Sequence, residues 1–222
     1  MKSISIQKLI AALVIGLITS GINAQNETPQ TLPQFLFPAF AKGIVKMKDG
    51  RKLAAVLNYN MVDEEMIFEQ NKKYMVVDKP EEIDTVYLQN RRFVFVDKVF
   101  YEVVASGKVT LYIQHKSRYS EKGTPTAYGM STKTSANYKY SSVQTGNQVR
   151  FLEIPDNVTV TPAIVYWANI NGEMKKFTSQ NQFIKLFPGS EEKIKEYIKV
   201  NNIDLKSREG LMNLGNFINS MN

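Results

Sequence analysis

Short runs that alternate apolar and polar residues, broken by turn-forming dipeptides, decide what this chain can fold into. Leu53, Ala55, Leu57 and Tyr59 fall on one side of one such run. Val109, Leu111 and Ile113 alternate with Thr110, Tyr112 and Gln114 in another. Successive strand side chains point to opposite faces, so runs of this period bury one face on a core. Asp49-Gly50, Asn71-Lys72 and Asn171-Gly172 stand between runs. Asp-Gly and Asn-Gly suit two-residue hairpin turns, whose central residues both take positive φ. Further runs at 83–88, 93–96 and 99–104 are separated by residues 89–92 and 97–98. Extended patterns return at 151–154, 158–160, 164–170 and 174–177. The spacing predicts an antiparallel, sandwich- or barrel-like β-rich body over residues 43–177.

After Phe177 the period changes to that of a helix. Ser179 and Gln182 form a capping box ahead of Phe183, Leu186 and Phe187, and Pro188-Gly189 ends that turn. Ser190 is placed to cap a second helix, with Glu191 and Glu192 at its positive end and Ile194, Tyr197 and Ile198 as its apolar stripe. Ser207 precedes a third helix carrying Leu211, Leu214, Ile218 and Met221 on one face. Gly210 and Gly215 each cost that helix about 1 kcal/mol relative to Ala, so tertiary contacts must hold it. The fold class expected is α+β, with two to three short helices in residues 178–222 packed on the sheet.

Residues 1–24 read as a cleavable signal peptide. Lys2 and Lys8 make a basic start, residues 9–18 are almost unbroken apolar, and Ala24 ends a stretch with several small residues. The apolar core is shorter than the roughly 20 residues a membrane-spanning helix needs, so no transmembrane span is expected after cleavage. The mature chain would start at Gln25 in the periplasm, on the outer-membrane surface or outside the cell. Residues 25–42, interrupted by Pro29, Pro33 and Pro38, read as a linker whose Phe35, Leu36, Phe37 and Phe40 tuck against the domain.

The composition narrows the chemistry. The chain has no cysteine, which removes disulfides, thiol nucleophiles and the route to a lipid-anchored N-terminus. The net charge of +7 is spread along the chain, two of the cations being Lys2 and Lys8. It forms no basic block of the kind that meets nucleic acid, and favours acidic surfaces only mildly. The single histidine, His115, reads as an ordinary strand-end residue, with no carboxylate beside it in sequence to orient it. Asp63-Glu64-Glu65 and Glu81-Glu82-Asp84 lack calcium-loop spacing and read as solvated turns. No metal site or cofactor is expected. Ser190-Glu-Glu-Lys193 and Lys133-Thr134-Ser135 echo two elements of penicillin-binding serine enzymes, but in reversed order and without the third.

Residues 116–148 are rich in Ser, Thr, Gly, Lys and Tyr and nearly devoid of aliphatics. A long loop inside a domain is usually functional or disordered. Arg118, Tyr119, Tyr128, Lys133, Tyr138, Lys139 and Tyr140 are its candidate binding residues, because tyrosines among small polar and basic groups make adaptable contact surfaces.

Several segments resemble those of uncharacterised exported proteins of Bacteroidetes-type bacteria. They are the hairpin-rich stretch at 49–60, Phe-Tyr-Glu-Val at 100–103, Leu-Tyr-Ile-Gln-His-Lys at 111–116, Ala-Tyr-Gly at 127–129, and the tail segments 183–188 and 194–199. The resemblance implies an envelope location and no activity. The function expected is a non-catalytic envelope or periplasmic protein that binds a protein partner or a surface polymer such as an acidic polysaccharide. The alternative is a secreted hydrolase of glycan or peptide, using carboxylates that the fold brings together.

Overall fold

The structure is a computed structural model that describes residues 32–71, 73–121 and 158–221, with strand segments at 124–125, 131–132, 143–145 and 148–150. Residues 1–24, expected to be a signal peptide, and residues 25–31 of the expected linker lie outside the described residues. The chain forms β1 (Ala41–Met47), β2 (Lys52–Asn60), β3 (Glu65–Gln70), β4 (Lys73–Val76), β5 (Ile83–Leu88), β6 (Arg91–Val96), β7 (Val99–Ala105) and β8 (Val109–Glu121). The short strands β9 (Thr124–Pro125), β10 (Ser131–Thr132), β11 (Val143–Thr145) and β12 (Gln148–Arg150) follow, then β13 (Val158–Ile170) and β14 (Glu173–Phe177). Helices α1 (Gln180–Ile184), α2 (Glu191–Val200) and α3 (Arg208–Ser220) close the described chain.

The fold is α+β, a β-rich body with short C-terminal helices. Ten strands run in the order β4-β3-β2-β1-β5-β6-β7-β8-β13-β14, and β12 and β11 extend the sheet beyond β4. Neighbours pair antiparallel throughout. The outermost strands, β11 and β14, do not pair, so the sheet is open. It nevertheless curls as a barrel does. The Tyr59 hydroxyl on β2 donates to the carbonyls of Phe100 on β7 (3.3 Å) and His115 on β8 (3.2 Å). Ser117 N donates to the Met61 carbonyl just past β2. Strands far apart in sheet order therefore meet face to face.

The hairpin turns are as their chemistry suggests, with two corrections. Asn171 and Gly172 both have positive φ between directly paired Ile170 and Glu173, a two-residue turn. At Asp49-Gly50 only Gly50 is left-handed. Gly50 N donates to Met47 O and Met47 N to Arg51 O, so this is a three-residue loop with a glycine bulge rather than a two-residue turn. Between β5 and β6 the turn is Gln89-Asn90 alone, both left-handed. Arg91 and Arg92, read as turn residues from the sequence, belong to β6.

The curl encloses one core, built from Val45, Leu57, Tyr59, Met66, Val86, Leu88, Phe93 and Phe100. The expected linker contributes to it. Phe37 is buried there, and Asn58 holds it by accepting from its N–H and donating to its carbonyl. A second core lies where the helices cover β7, β8, β13 and β14, around Leu111, Ala168, Phe177, Phe183, Ile194, Leu211 and Leu214. The caps explain two of the helix starts. Ser179 accepts from Gln182 N and Ser207 from Gly210 N. Ser190 makes no side-chain cap bond; the Glu191 carboxylate accepts from Gly189 N instead.

Helix α3 docks closer than an ordinary helix can. A Cβ on Gly215 would lie 2.4 Å from the Ala105 Cβ and 2.9 Å from a Leu111 methyl. The register shift between Val103 and Ala105 turns both Val104 and Ala105 toward the helices at this point. Asn219, near the end of α3, clamps Val109 through both its backbone N–H and its carbonyl. The glycines that weaken α3 as an isolated helix are what allow its contact with the sheet. Gly215→Ala should therefore destabilise the protein by about 1–2 kcal/mol, the overpacking cost exceeding the gain in helix propensity. Urea unfolding followed by circular dichroism measures it, and a stabilised variant would contradict the packing described.

Candidate functional site

A buried carboxylate lies between the two cores. On β7, Phe100 belongs to the curled core and Val104 to the helical one, and Glu102 stands between them with no exposed surface. Such a charge needs partners, since desolvation alone would neutralise it. It has three. His115 Nε2 lies 2.7 Å from Glu102 Oε2 and Arg91 Nη1 lies 3.2 Å from the same oxygen. Arg208 Nε, in the first turn of α3, donates to Oε1. Burial pushes the Glu102 carboxyl up and is the largest single influence. The hydrogen bonds from His115 and Arg208 and the Arg91 charge together outweigh it, holding the group below the usual carboxylate range. Burial also pushes the Tyr59 hydroxyl up, behind the His115 ring.

The two arginines are fixed more tightly than surface cations. Arg91 lies 5.3 Å over the Phe37 ring. Arg208 also reaches the Asn90 carbonyl and so braces the β5–β6 turn. Their side chains remain 30% and 36% exposed. A guanidinium has five N–H donors, and these contacts engage only some of them.

That exposed side opens on a groove of about 1010 Å3. Ile44, Ala54, Val56 and Tyr87 line it from β1, β2 and β5. Gln89, Asn90, Arg91 and Arg92 line it around the turn, and Arg208 and Met212 from α3. Lys42 adds a further cation, and among the described residues Glu69 is the one carboxylate in the lining. Tyr87 is 45% exposed and Ile44 40%. Tyr87 pairs directly with Ile44 on one side and Arg92 on the other, so the three share one face of the sheet. Arg92 is steadied by a 2.6 Å bond to the Ser106 hydroxyl.

A second polar chain runs on the outer face of β8. Glu64, left-handed at the turn after β2, accepts from Gln114 (2.6 Å) and pairs with Lys116 (2.9 Å). Gln114 in turn accepts from the Trp167 indole N–H. Glu64 is thus a nearly buried structural group, not the solvated turn residue its sequence context suggests. It also borders a pocket of about 310 Å3 with Glu65, Asp78 and Lys98.

The seven binding residues proposed from sequence fare differently. Arg118 is exposed on β8 opposite Thr161, and Tyr119 is its neighbour opposite Val160. Tyr128, Lys133, Tyr138, Lys139 and Tyr140 lie outside the described residues. The loop boundary moves, because 116–121 continue β8 and pair with β13. The same extension corrects the reading of His115. It sits in mid-strand, is buried, and finds in Glu102 the carboxylate that its sequence neighbours lack.

Sequence reasoning missed Glu102, Arg91 and Arg208 because their partners come from three elements. One signal was present: a glutamate inside Phe-Tyr-Glu-Val-Val-Ala, an otherwise apolar strand. No family model, curated protein or solved structure matches this chain.

The ionic cluster makes a pH prediction. Glu102 is held below its ordinary pKa, so its contribution is complete above the unfolded value near 4.5 and disappears as pH falls through the lower folded value. Glu102→Gln should lower the stability at pH 7 by about 1–3 kcal/mol, since it breaks a buried pair whose arginines can still reach water. Thermal midpoints measured from pH 7 down to about 2.5 should show the wild-type advantage shrinking below pH 4.5. A difference that stays constant across that range would contradict the ionised assignment.

Proposed function

We propose that this is an exported, non-catalytic envelope or periplasmic protein whose groove binds an anionic stretch of a protein partner or surface polymer. One observation carries the reading: a buried carboxylate sets two arginines at the edge of a groove that also presents Lys42, Arg92 and an exposed Tyr87. Clefts lined by one sign of charge concentrate ligands of the other. Planar guanidiniums held in place suit carboxylate, phosphate or sulfate groups. Export rests on residues 1–24 of the sequence. Among the described residues no helix is long and apolar enough to cross a membrane.

Titrating the purified protein with polyglutamate and with polygalacturonate at two salt concentrations tests the groove. At least one polymer should bind, more weakly at the higher salt, and the Lys42→Ala/Arg92→Ala double variant should lose about tenfold or more in affinity. No binding of either polymer at low salt would overturn the reading. Mass spectrometry of the protein from its native cell tests export separately. The expected mature form begins at Gln25, and a cytosolic form retaining residue 1 would overturn it.

The hydrolase reading has one observation of its own, the pocket bordered by Glu64, Glu65 and Asp78. Glu64 is already committed to Gln114 and Lys116, which favours the structural role. Glycan hydrolysis that Glu65→Gln abolishes, with the fold intact, would reverse that preference.

A further inference from the structure

We infer that the groove's ligand is an acidic polysaccharide, whose carboxylate-bearing sugar rings lie across Tyr87 with their carboxylates toward Arg92 and the Arg91–Arg208 pair. The inference rests on the anion-binding reading of the groove and specifies its ligand.

Two features separate a sugar chain from an acidic peptide, and a third separates a polymer from a single anion. The first is the backbone. Extended peptides are commonly recognised by adding a strand to a sheet edge with free main-chain groups. β5 is flanked by β1 and β6, and β1 by β2 and β5, so this surface has an already paired backbone and recognition falls to side chains. The second is the platform. Ile44, Tyr87 and Arg92 are consecutive cross-strand neighbours, which sets an exposed aromatic ring between an aliphatic and a cationic side chain. A pyranose uronate has the matching form: a C–H face that packs on an aromatic ring, and a carboxylate projecting from the ring edge. Directly opposed residues stand about 5 Å apart at Cβ, so one sugar residue can touch both Tyr87 and Arg92.

The third feature is the spread of charge. Arg92 stands on the platform, whereas Arg91, on the alternate face of β6, and Arg208 stand beside the Gln89-Asn90 turn, tied to Glu102. A ligand with one anionic group would engage one of these positions. A polymer that repeats its carboxylate can engage both. The volume of about 1010 Å3 is at the upper end of ordinary small-ligand pockets, roughly 300–1,000 Å3, which leaves room for more than one ring.

Isothermal titration with polygalacturonate, dextran and polyglutamate decides the matter, using wild type, Tyr87→Ala, Arg92→Ala and Arg92→Lys. Polygalacturonate should bind, with dextran and polyglutamate at least tenfold weaker. Tyr87→Ala and Arg92→Ala should each weaken polygalacturonate by about tenfold. Arg92→Lys should fall between, because the charge survives and the planar fork does not. The thermal midpoint of each variant should stay at the wild-type value, which separates lost binding from lost folding. Polyglutamate bound as tightly as polygalacturonate, or an unaltered affinity in Tyr87→Ala, overturns the sugar assignment and leaves the anion groove standing. Binding of dextran equal to that of polygalacturonate overturns the role of the carboxylates. Failure of both anionic polymers at low salt overturns the groove itself.

Discussion

The carboxylate of Glu102 is the group on which the arrangement of the molecule turns. It stands where two hydrophobic cores meet, and each of its partners comes from a different direction: Arg91 from β6, His115 from β8 and Arg208 from α3. An ionised group in such a place contributes little net stability compared with a well-packed apolar residue, because its desolvation offsets most of the attraction. Its effect is on geometry. The sheet end, the β5–β6 turn and the last helix must all reach their positions, since any one missing would leave the buried charge short of a partner. The same bonds that register α3 on the sheet aim two guanidiniums at the groove.

The docking of α3 depends on a different kind of constraint, and the two are coupled. Gly215 lets the helix backbone approach Ala105, and Asn219 holds Val109 through two amide bonds. These contacts fix the far part of α3, and Arg208 fixes its first turn. A helix pinned at both ends cannot slide to accommodate a larger side chain in between. This is why the low helix propensity at Gly215 is tolerated: the interior of the interface replaces what the isolated helix lacks.

The β-rich body was legible because its signals are local. Period-two alternation and turn dipeptides need only a few neighbouring residues, and the caps at Ser179 and Ser207 likewise. The turn class at Asp49-Gly50 was not legible, because Asp-Gly also fits a three-residue loop in which only the glycine is left-handed. The end of β8 was hidden for a physical reason. Residues 116–121, Lys-Ser-Arg-Tyr-Ser-Glu, continue a strand in a ribbon with β13 without an aliphatic among them, so the hydrophobic alternation stops before the strand does. The site was legible only as an anomaly. Glu102 and His115 are near neighbours across one hairpin, which register knowledge would reveal, but Arg208 lies far along the chain and nothing local marks it.

The pairing of a histidine with a glutamate invites comparison with a catalytic dyad, and the geometry argues otherwise. A general base needs a basic atom facing substrate and a pKa near the working pH. Glu102 has no exposed surface, its oxygens are already met by two arginines and a histidine, and its carboxyl is held below the usual range, which makes it a weak base. His115 is nearly as enclosed and directs Nε2 at Glu102 rather than toward the groove. What reaches solvent is the outer side of the cluster, the two arginines. The chemistry turned toward the groove is therefore that of fixed N–H donors, while the histidine–glutamate pair stays behind as the support that keeps those donors in place.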